Sequence, residues 1–144
     1  MTLPTKIVVI GAGSASFGEN TLSALMHSKK LRGSTLALVD RNVETLDIVK
    51  RLAERLNREW ASGITITVHS HHREALEGAS FVVSAIEVGA REGLWKKDFE
   101  IPLKYGVRQP YAENGGPGGF AHAARNLVPV MEIVRDMEKA CPEA

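Results

Sequence analysis

The chain reads as an α/β protein of the doubly wound type, a parallel sheet with helices on both faces. Three observations predict it. Short apolar runs rich in β-branched residues recur, and most are followed by a segment with apolar residues at helical spacing. The connections are short, which demands right-handed crossovers and parallel strands. A glycine-rich turn, Gly11-Ala12-Gly13-Ser14-Ala15-Ser16-Phe17-Gly18, joins the first run to the first helical segment.

Lys6–Ile10 is bounded by Pro4 and Gly11, the profile of a strand buried on both faces. Phe17–His27 carries Leu22, Leu25 and Met26 as one helical stripe. Thr35–Val39 is a second buried strand, ended by Asp40. Asn42 caps the next helix, with Thr45 where a capping box prefers Glu. That helix runs to about Trp60, with Leu46, Val49, Leu52, Ala53 and Leu56 inward. Gly63 ends it. Ile64–Val68 alternates as a third strand nearer the sheet edge, and a short helix, Arg73–Leu76, leads through Gly78 into a fourth strand, Phe81–Ile86. The expected strand order is 3-2-1-4, the first half of a doubly wound sheet.

Beyond Ile86 the pattern changes. A short helix near Leu94–Tyr105 precedes a Gly- and Pro-rich loop, Tyr111–Gly119. Phe120 to about Lys139 is a long amphipathic helix with Leu127, Val130, Ile133, Val134 and Met137 inward, and Pro129 is expected to kink its first turns or delay its start. A fifth strand is due after Cys141-Pro142. The sequence therefore reads as one domain, residues 1–144, with that strand missing or truncated.

Composition narrows the class. With 44% hydrophobic residues, 144 positions suffice for one core. A formal net charge of +1, with both signs interspersed, predicts no nucleic-acid partner and no anionic membrane partner. No apolar run approaches a membrane span, and the N-terminus has no secretory leader pattern. The single cysteine, Cys141, excludes an internal disulfide and suits a reducing compartment, so a cytoplasmic location is expected.

The glycine turn points to chemistry. Gly11 permits a tight turn, and Gly13 lets backbone approach a pyrophosphate with no Cβ in the way. The helix N-terminus offers free N–H groups and its positive dipole end. Ser16 stands where G-x-G-x-x-G has its third glycine; it is small enough for close packing, and Ser14 can donate to phosphate. Asp40, ending the second strand, is placed to accept from adenosine ribose hydroxyls and to repel a 2′-phosphate, which favours NAD over NADP. Arg41 beside it softens that preference. This is a Rossmann-type dinucleotide unit, with cofactor contacts expected at Gly11, Gly13, Ser14, Ala15, Ser16, Phe17, Asp40, Arg41, Ile86, Glu87 and Val88. The plainer alternative is a tight strand–helix turn, with Asp40 capping the next helix.

Ligands in this architecture sit outside the carboxyl ends of strands one and four. Glu87, Arg91 and Asp98 therefore fall near the nicotinamide side, or else on a solvated loop and an exposed helix face. Four glycines in five residues, Gly115–Gly119, let backbone pass close to something bulky, and Glu113 and Asn114 add hydrogen-bonding groups. Arg91, Glu113 and Asn114 are the substrate-side candidates, with a flexible surface loop as the alternative for 113–119. The absence of Gly-Lys-Ser/Thr excludes a P-loop. His69, His71 and His72 read as solvent-exposed turn histidines rather than metal ligands, Cys141 as a small buried hydrophobe, and Trp60 and Trp95 as core or interface anchors.

Several segments together resemble glycoside hydrolase family 4, the NAD- and divalent-metal-dependent glycosidases. They are Gly11–Phe17, Val39-Asp40, Ile86–Gly89, the run from Trp95 and Asp98 through Ile101-Pro-Leu-Lys-Tyr-Gly to Gln109, Glu113–Gly119 and Ala124-Arg125. The tail Asp136–Ala144 is similar to the family's lead-in to its fifth strand. The resemblance covers essentially the whole chain and roughly the first third of a family member. It implies a redox-assisted cleavage of a glycoside, a uronide or galactoside among the candidates, unlike the two-carboxylate route of most glycosidases. NAD takes hydride from sugar C3, and a divalent metal, usually manganese, stabilises the enediolate formed on removal of the C2 proton. The resemblance also implies that the metal ligands and the catalytic acid and base lie in segments with no counterpart here, so no catalytic or metal residue is expected within the chain, and no activity from it alone. The rival readings are an NAD-dependent 2-hydroxy-acid dehydrogenase and a non-catalytic nucleotide-binding or oligomerising module. An uncovered sheet edge makes a homo-oligomer the expectation.

Overall fold

The computed structural model describes residues 2–14, 18–110 and 115–144. Ala15, Ser16 and Phe17, expected at the cofactor, and Glu113 and Asn114, expected at the substrate, lie outside the described residues. The elements are β1 (Lys6–Ile10), α1 (Gly18–His27), β2 (Thr35–Val39), α2 (Val43–Glu59), β3 (Thr65–His69), α3 (Arg73–Leu76), β4 (Phe81–Ser84), α4 (Arg91–Lys104) and α5 (Gly116–Ala140). All four strands are parallel, in the order β3-β2-β1-β4 that the alternation predicts.

Residues Met1–Ile86 with Arg135–Ala144 form one compact unit, and Glu87–Val134 form a second. The first is built around the two central strands. Val8 and Ala37 are completely buried, and Ile7, Val9, Leu36 and Leu38 complete a core with Leu22 and Met26 of α1 and Leu46 and Ala53 of α2. Strands covered on both faces need no polar alternation, which is why they read as continuous apolar runs. The Asn42 side chain accepts from the Glu44 and Thr45 amides at 3.1 Å each, as its position predicts. That cap satisfies two of the orphan donors of α2.

The edges depart more from expectation. β3 begins one residue late, at Thr65, while Ile64 packs into the core ahead of it. β4 stops at Ser84 rather than Ile86, although the Ala85 amide still donates to the Ile10 carbonyl at 2.8 Å.

The three histidines depart from the expected exposed turn to different degrees: His69 ends β3 and, like His71, is half-buried. His72 is buried, with Nε2 2.8 Å from Asp136 Oδ2 on α5, and Arg73 Nε donates to the same oxygen at 2.6 Å. Those two bonds, Arg73's first, hold the Asp136 carboxyl below the usual carboxylate range. His71 stacks on the His72 ring at 4.4 Å. A buried ring of this kind needs a polar partner, and α5 supplies it from 64 positions away.

In the second unit, α4 begins at Arg91, three residues before its expected start. The larger correction is at 116–119. These glycines are not part of a loop: they form the first turn of α5, which continues through Pro129 to Ala140. Pro117 sits in that first turn, where a missing N–H costs nothing because the group has no intrahelical acceptor. The inward stripe of α5 also differs: Ile133 is buried, whereas Leu127 and Val134 lie exposed beside Phe120, Val128 and Met131.

Candidate functional site

The candidate site lies at the carboxyl end of β1, between β2 and β4, in the first unit. The amides of Gly11 and Ala12 both donate to the Val39 carbonyl, at 2.9 and 3.0 Å, so the chain turns sharply as it leaves β1. Gly11 takes φ +84°, and a Cβ there would lie 2.6 Å from the Ala85 carbonyl oxygen. Only glycine fits without moving β4. A Cβ at Gly13 would lie 2.8 Å from Asp40 Oδ2 and 3.0 Å from the Thr45 methyl.

Asp40 does more than end β2. Its Oδ2 accepts from the Gly13 amide and its Oδ1 from the Asn42 amide, each at 2.8 Å. One carboxylate thus ties the glycine turn to the start of α2. Each oxygen retains a second lone-pair direction, so the group can accept from a ligand hydroxyl while holding the loop. Ser14 uses its own amide within the turn, bonding the Gly11 carbonyl at 3.1 Å. Arg41 is exposed and Ile86 half-buried. The described part of the turn therefore has two positions where an added Cβ would crowd its neighbours, and a carboxylate at the end of β2.

Glu87, Val88 and Arg91 belong to the second unit, where a compact polar cluster forms. The Trp95 indole N–H donates to Glu87 Oε1 at 2.7 Å. His122 Nδ1 lies 3.5 Å from the same oxygen, and Arg91 Nε lies 3.7 Å from Oε2 with its guanidinium 4.1 Å over the Trp95 ring. Trp95 is therefore a hydrogen-bonding partner of Glu87, not merely an apolar anchor. The Val88 amide donates to Asn126 Oδ1 at 3.0 Å.

Asp98 is not on an exposed face. It is 6% exposed, and both terminal nitrogens of Arg125 donate to its two carboxylate oxygens, Nη1 to Oδ1 at 2.9 Å and Nη2 to Oδ2. Arg125 holds the Asp98 carboxyl below its usual range. The Gln109 amide N–H donates to the Asp98 carbonyl at 2.9 Å, and its oxygen accepts from the Gly118 amide at 3.0 Å. A Cβ on Gly118 would run into the Asp98 carbonyl and the Gln109 amide, which explains the glycine at 118. Asn126, His122, Gln109 and Arg125 are the polar partners that local sequence reading does not single out. Among the described residues, no group of three or more His, Cys, Asp or Glu side chains converges as a metal site.

The sequence profile of the family 4 glycosyl hydrolases matches residues 6–144. The chain belongs to this family. Two relatives are an alpha-glucosidase of Erwinia rhapontici, 41% identical over 99% of this chain, and an alpha-galactosidase of Bacillus subtilis, 34% identical over 96%. The chain spans about a third of their length, 31% and 32% respectively. Among solved structures, a 6-phospho-beta glucosidase from Thermotoga maritima, determined with NAD and glucose-6-phosphate, superposes on 96% of this chain and 32% of its own. Its TM-score is 0.80 at 28% identity. The family 4 match thus rests on the whole chain rather than on the glycine turn alone, and the order β3-β2-β1-β4 accords with it.

Proposed function

We propose that residues 1–144 form the NAD-binding portion of a glycosidase that cleaves O-glycosidic bonds by redox-assisted elimination and addition. One observation carries the cofactor reading: a glycine turn from which Cβ atoms are excluded, tied by Asp40 at the end of the adjacent strand. Family membership and the NAD in the Thermotoga structure support it. Bound there, NAD would supply a hydride acceptor for the sugar. The chain's own part is to seat it. Gly11 and Gly13 admit the pyrophosphate, Asp40 takes the ribose hydroxyls, and Ile86, just past the end of β4, lies toward the nicotinamide.

The divalent metal does not fit the described residues, and no step is assigned to it here. Hydrolysis is assigned to the family's acid, base and metal ligands, for which the resemblance offers no counterpart in these residues. No described helix is long and apolar enough to cross a membrane, and a buried free Cys141, its thiol pushed up by desolvation, suits a cytoplasmic setting.

Titration by calorimetry tests the cofactor reading. NADH is expected to bind at least about tenfold more tightly than NADPH, since the Asp40 carboxylate repels a 2′-phosphate. Equal affinities would remove Asp40 from the ribose site. The chain is also proposed to self-associate, because β4 ends the described sheet with Phe81 60% exposed. Sedimentation velocity should show a species that grows with concentration; a single monomer across the range would refute it.

A further inference from the structure

We propose that Asn42 is a positioning residue for Asp40, and through it sets the preference of the cofactor site for NADH over NADPH. The inference rests on the cofactor reading above and adds a residue to it. Every group it uses lies in the first unit.

Asp40 lies just beyond β2, where its amide makes one long bond, 3.3 Å, to the His69 carbonyl. Two shorter bonds set its carboxylate. Oδ2 accepts from the Gly13 amide and Oδ1 from the Asn42 amide, both at 2.8 Å. The second comes from only two positions along the chain, so the carboxylate is no better fixed than the backbone of Asn42. That backbone is fixed by its own side chain. Asn42 Oδ1 accepts from the Glu44 and Thr45 amides at 3.1 Å each, and the residue stays extended, φ −85° and ψ 96°, at the entry to α2. In a capping box, a Glu or Gln three residues on would take the amide of the capping residue. Here that position is Thr45, and the Asn42 amide goes to Asp40 instead. The departure from the capping box is what leaves the amide for the carboxylate.

The same cap orders Thr45, whose methyl bounds the space beside Gly13: a Cβ at Gly13 would lie 3.0 Å from it. Asn42 thus reaches the glycine turn by two routes, through Asp40 and through Thr45. A carboxylate held in this way is preorganised to accept from a ribose hydroxyl, and it cannot turn away from a 2′-phosphate. Both effects weaken if the Asn42 backbone is released.

The discriminating measurement titrates NADH and NADPH by calorimetry against the wild-type chain, Asn42→Ala, Asn42→Ser and Asn57→Ala. Asn42→Ala is expected to contract the NADH to NADPH preference about three- to fivefold, the scale of one helix cap, with the loss falling on NADH. Asn42→Ser returns an oxygen to the cap and should return the wild-type ratio. Asn57→Ala is the control from the far end of the same helix, where Asn57 holds the Ile64 carbonyl and amide at 2.7 and 3.1 Å. It should lower the melting temperature with the ratio unchanged.

An unchanged ratio in Asn42→Ala would overturn the positioning role, whether both affinities fall together or neither moves. A contracted ratio in Asn42→Ser or in Asn57→Ala would overturn it too. If Asn42→Ala does not fold, Asn42→Gly decides, since glycine caps a helix at a cost of only a few tenths of a kcal/mol yet offers no oxygen. A contracted ratio there supports the role, and a wild-type ratio overturns it. A wild-type chain that binds both ligands equally, or neither, overturns the assignment of Asp40 to the ribose, and the inference with it.

Discussion

Replacing Asp98 with alanine is expected to destabilise the chain by about 3 kcal/mol, because it strands a partly buried guanidinium. Arg125 directs both terminal nitrogens at the Asp98 carboxylate, and its buried Nε already has no acceptor among the described residues. Removing the carboxylate leaves a cation with nothing to replace it. The double variant Asp98→Ala/Arg125→Met should recover most of the loss, since a buried ion pair is often worth no more than apolar packing of similar volume. Urea unfolding with an unchanged m-value would measure both. Single and double variants of equal stability would show that the pair is not the source. The pH dependence gives a second check. Arg125 lowers the folded-state pKa of Asp98, so the stabilisation is complete above the unfolded carboxylate value, about 4. It is lost as pH falls through the folded value. The gap between wild type and Asp98→Asn should be flat above about pH 5 and close in stronger acid.

That pair also shows where sequence reading ends. The sheet was legible because its central strands are buried on both faces and need no partner outside their own apolar run. β1 and β2 have the expected limits, and Asn42 caps α2 through a purely local bond. Asp98 read as either near the nicotinamide or on an exposed helix face, and His72 as solvated, because nothing local names a partner for either. Their partners lie 27 and 64 residues away, beyond the reach of any periodicity. The glycines at 116–119 failed for a related reason. Their low helix propensity argues for a loop, but the Asp98 carbonyl and Gln109 leave no room for a Cβ at 118, and tertiary packing overrides propensity. At the candidate site, the tight turn at Gly11 and Gly13 and the place of Asp40 after β2 were legible because the motif follows a buried strand directly. What the sequence could not disclose is that Asp40 already holds the Gly13 amide, so that loop shape and the proposed ribose recognition share one carboxylate.

Gly11→Ala tests that shared geometry most severely. Two costs coincide at this position. Alanine at φ +84° bears the strain of the left-handed region, about 1 kcal/mol or more, and its methyl would lie 2.6 Å from the Ala85 carbonyl oxygen. That oxygen is backbone and cannot swing aside. Relief requires β4 to shift against β1, which threatens the bond from the Ala85 amide to the Ile10 carbonyl. The combined loss should be about 2–4 kcal/mol, with NADH affinity down by more than about tenfold as the turn moves away from the pyrophosphate. Gly78→Ala separates the two costs. Gly78 has φ +69° and nothing within 4 Å of where a Cβ would stand, so only the backbone strain applies. It should cost about 1 kcal/mol and leave NADH binding unchanged. Chemical denaturation and NADH titration of the two variants side by side give the answer. If Gly11→Ala proves no more harmful than Gly78→Ala, close approach to β4 is not what requires glycine at the end of the first strand.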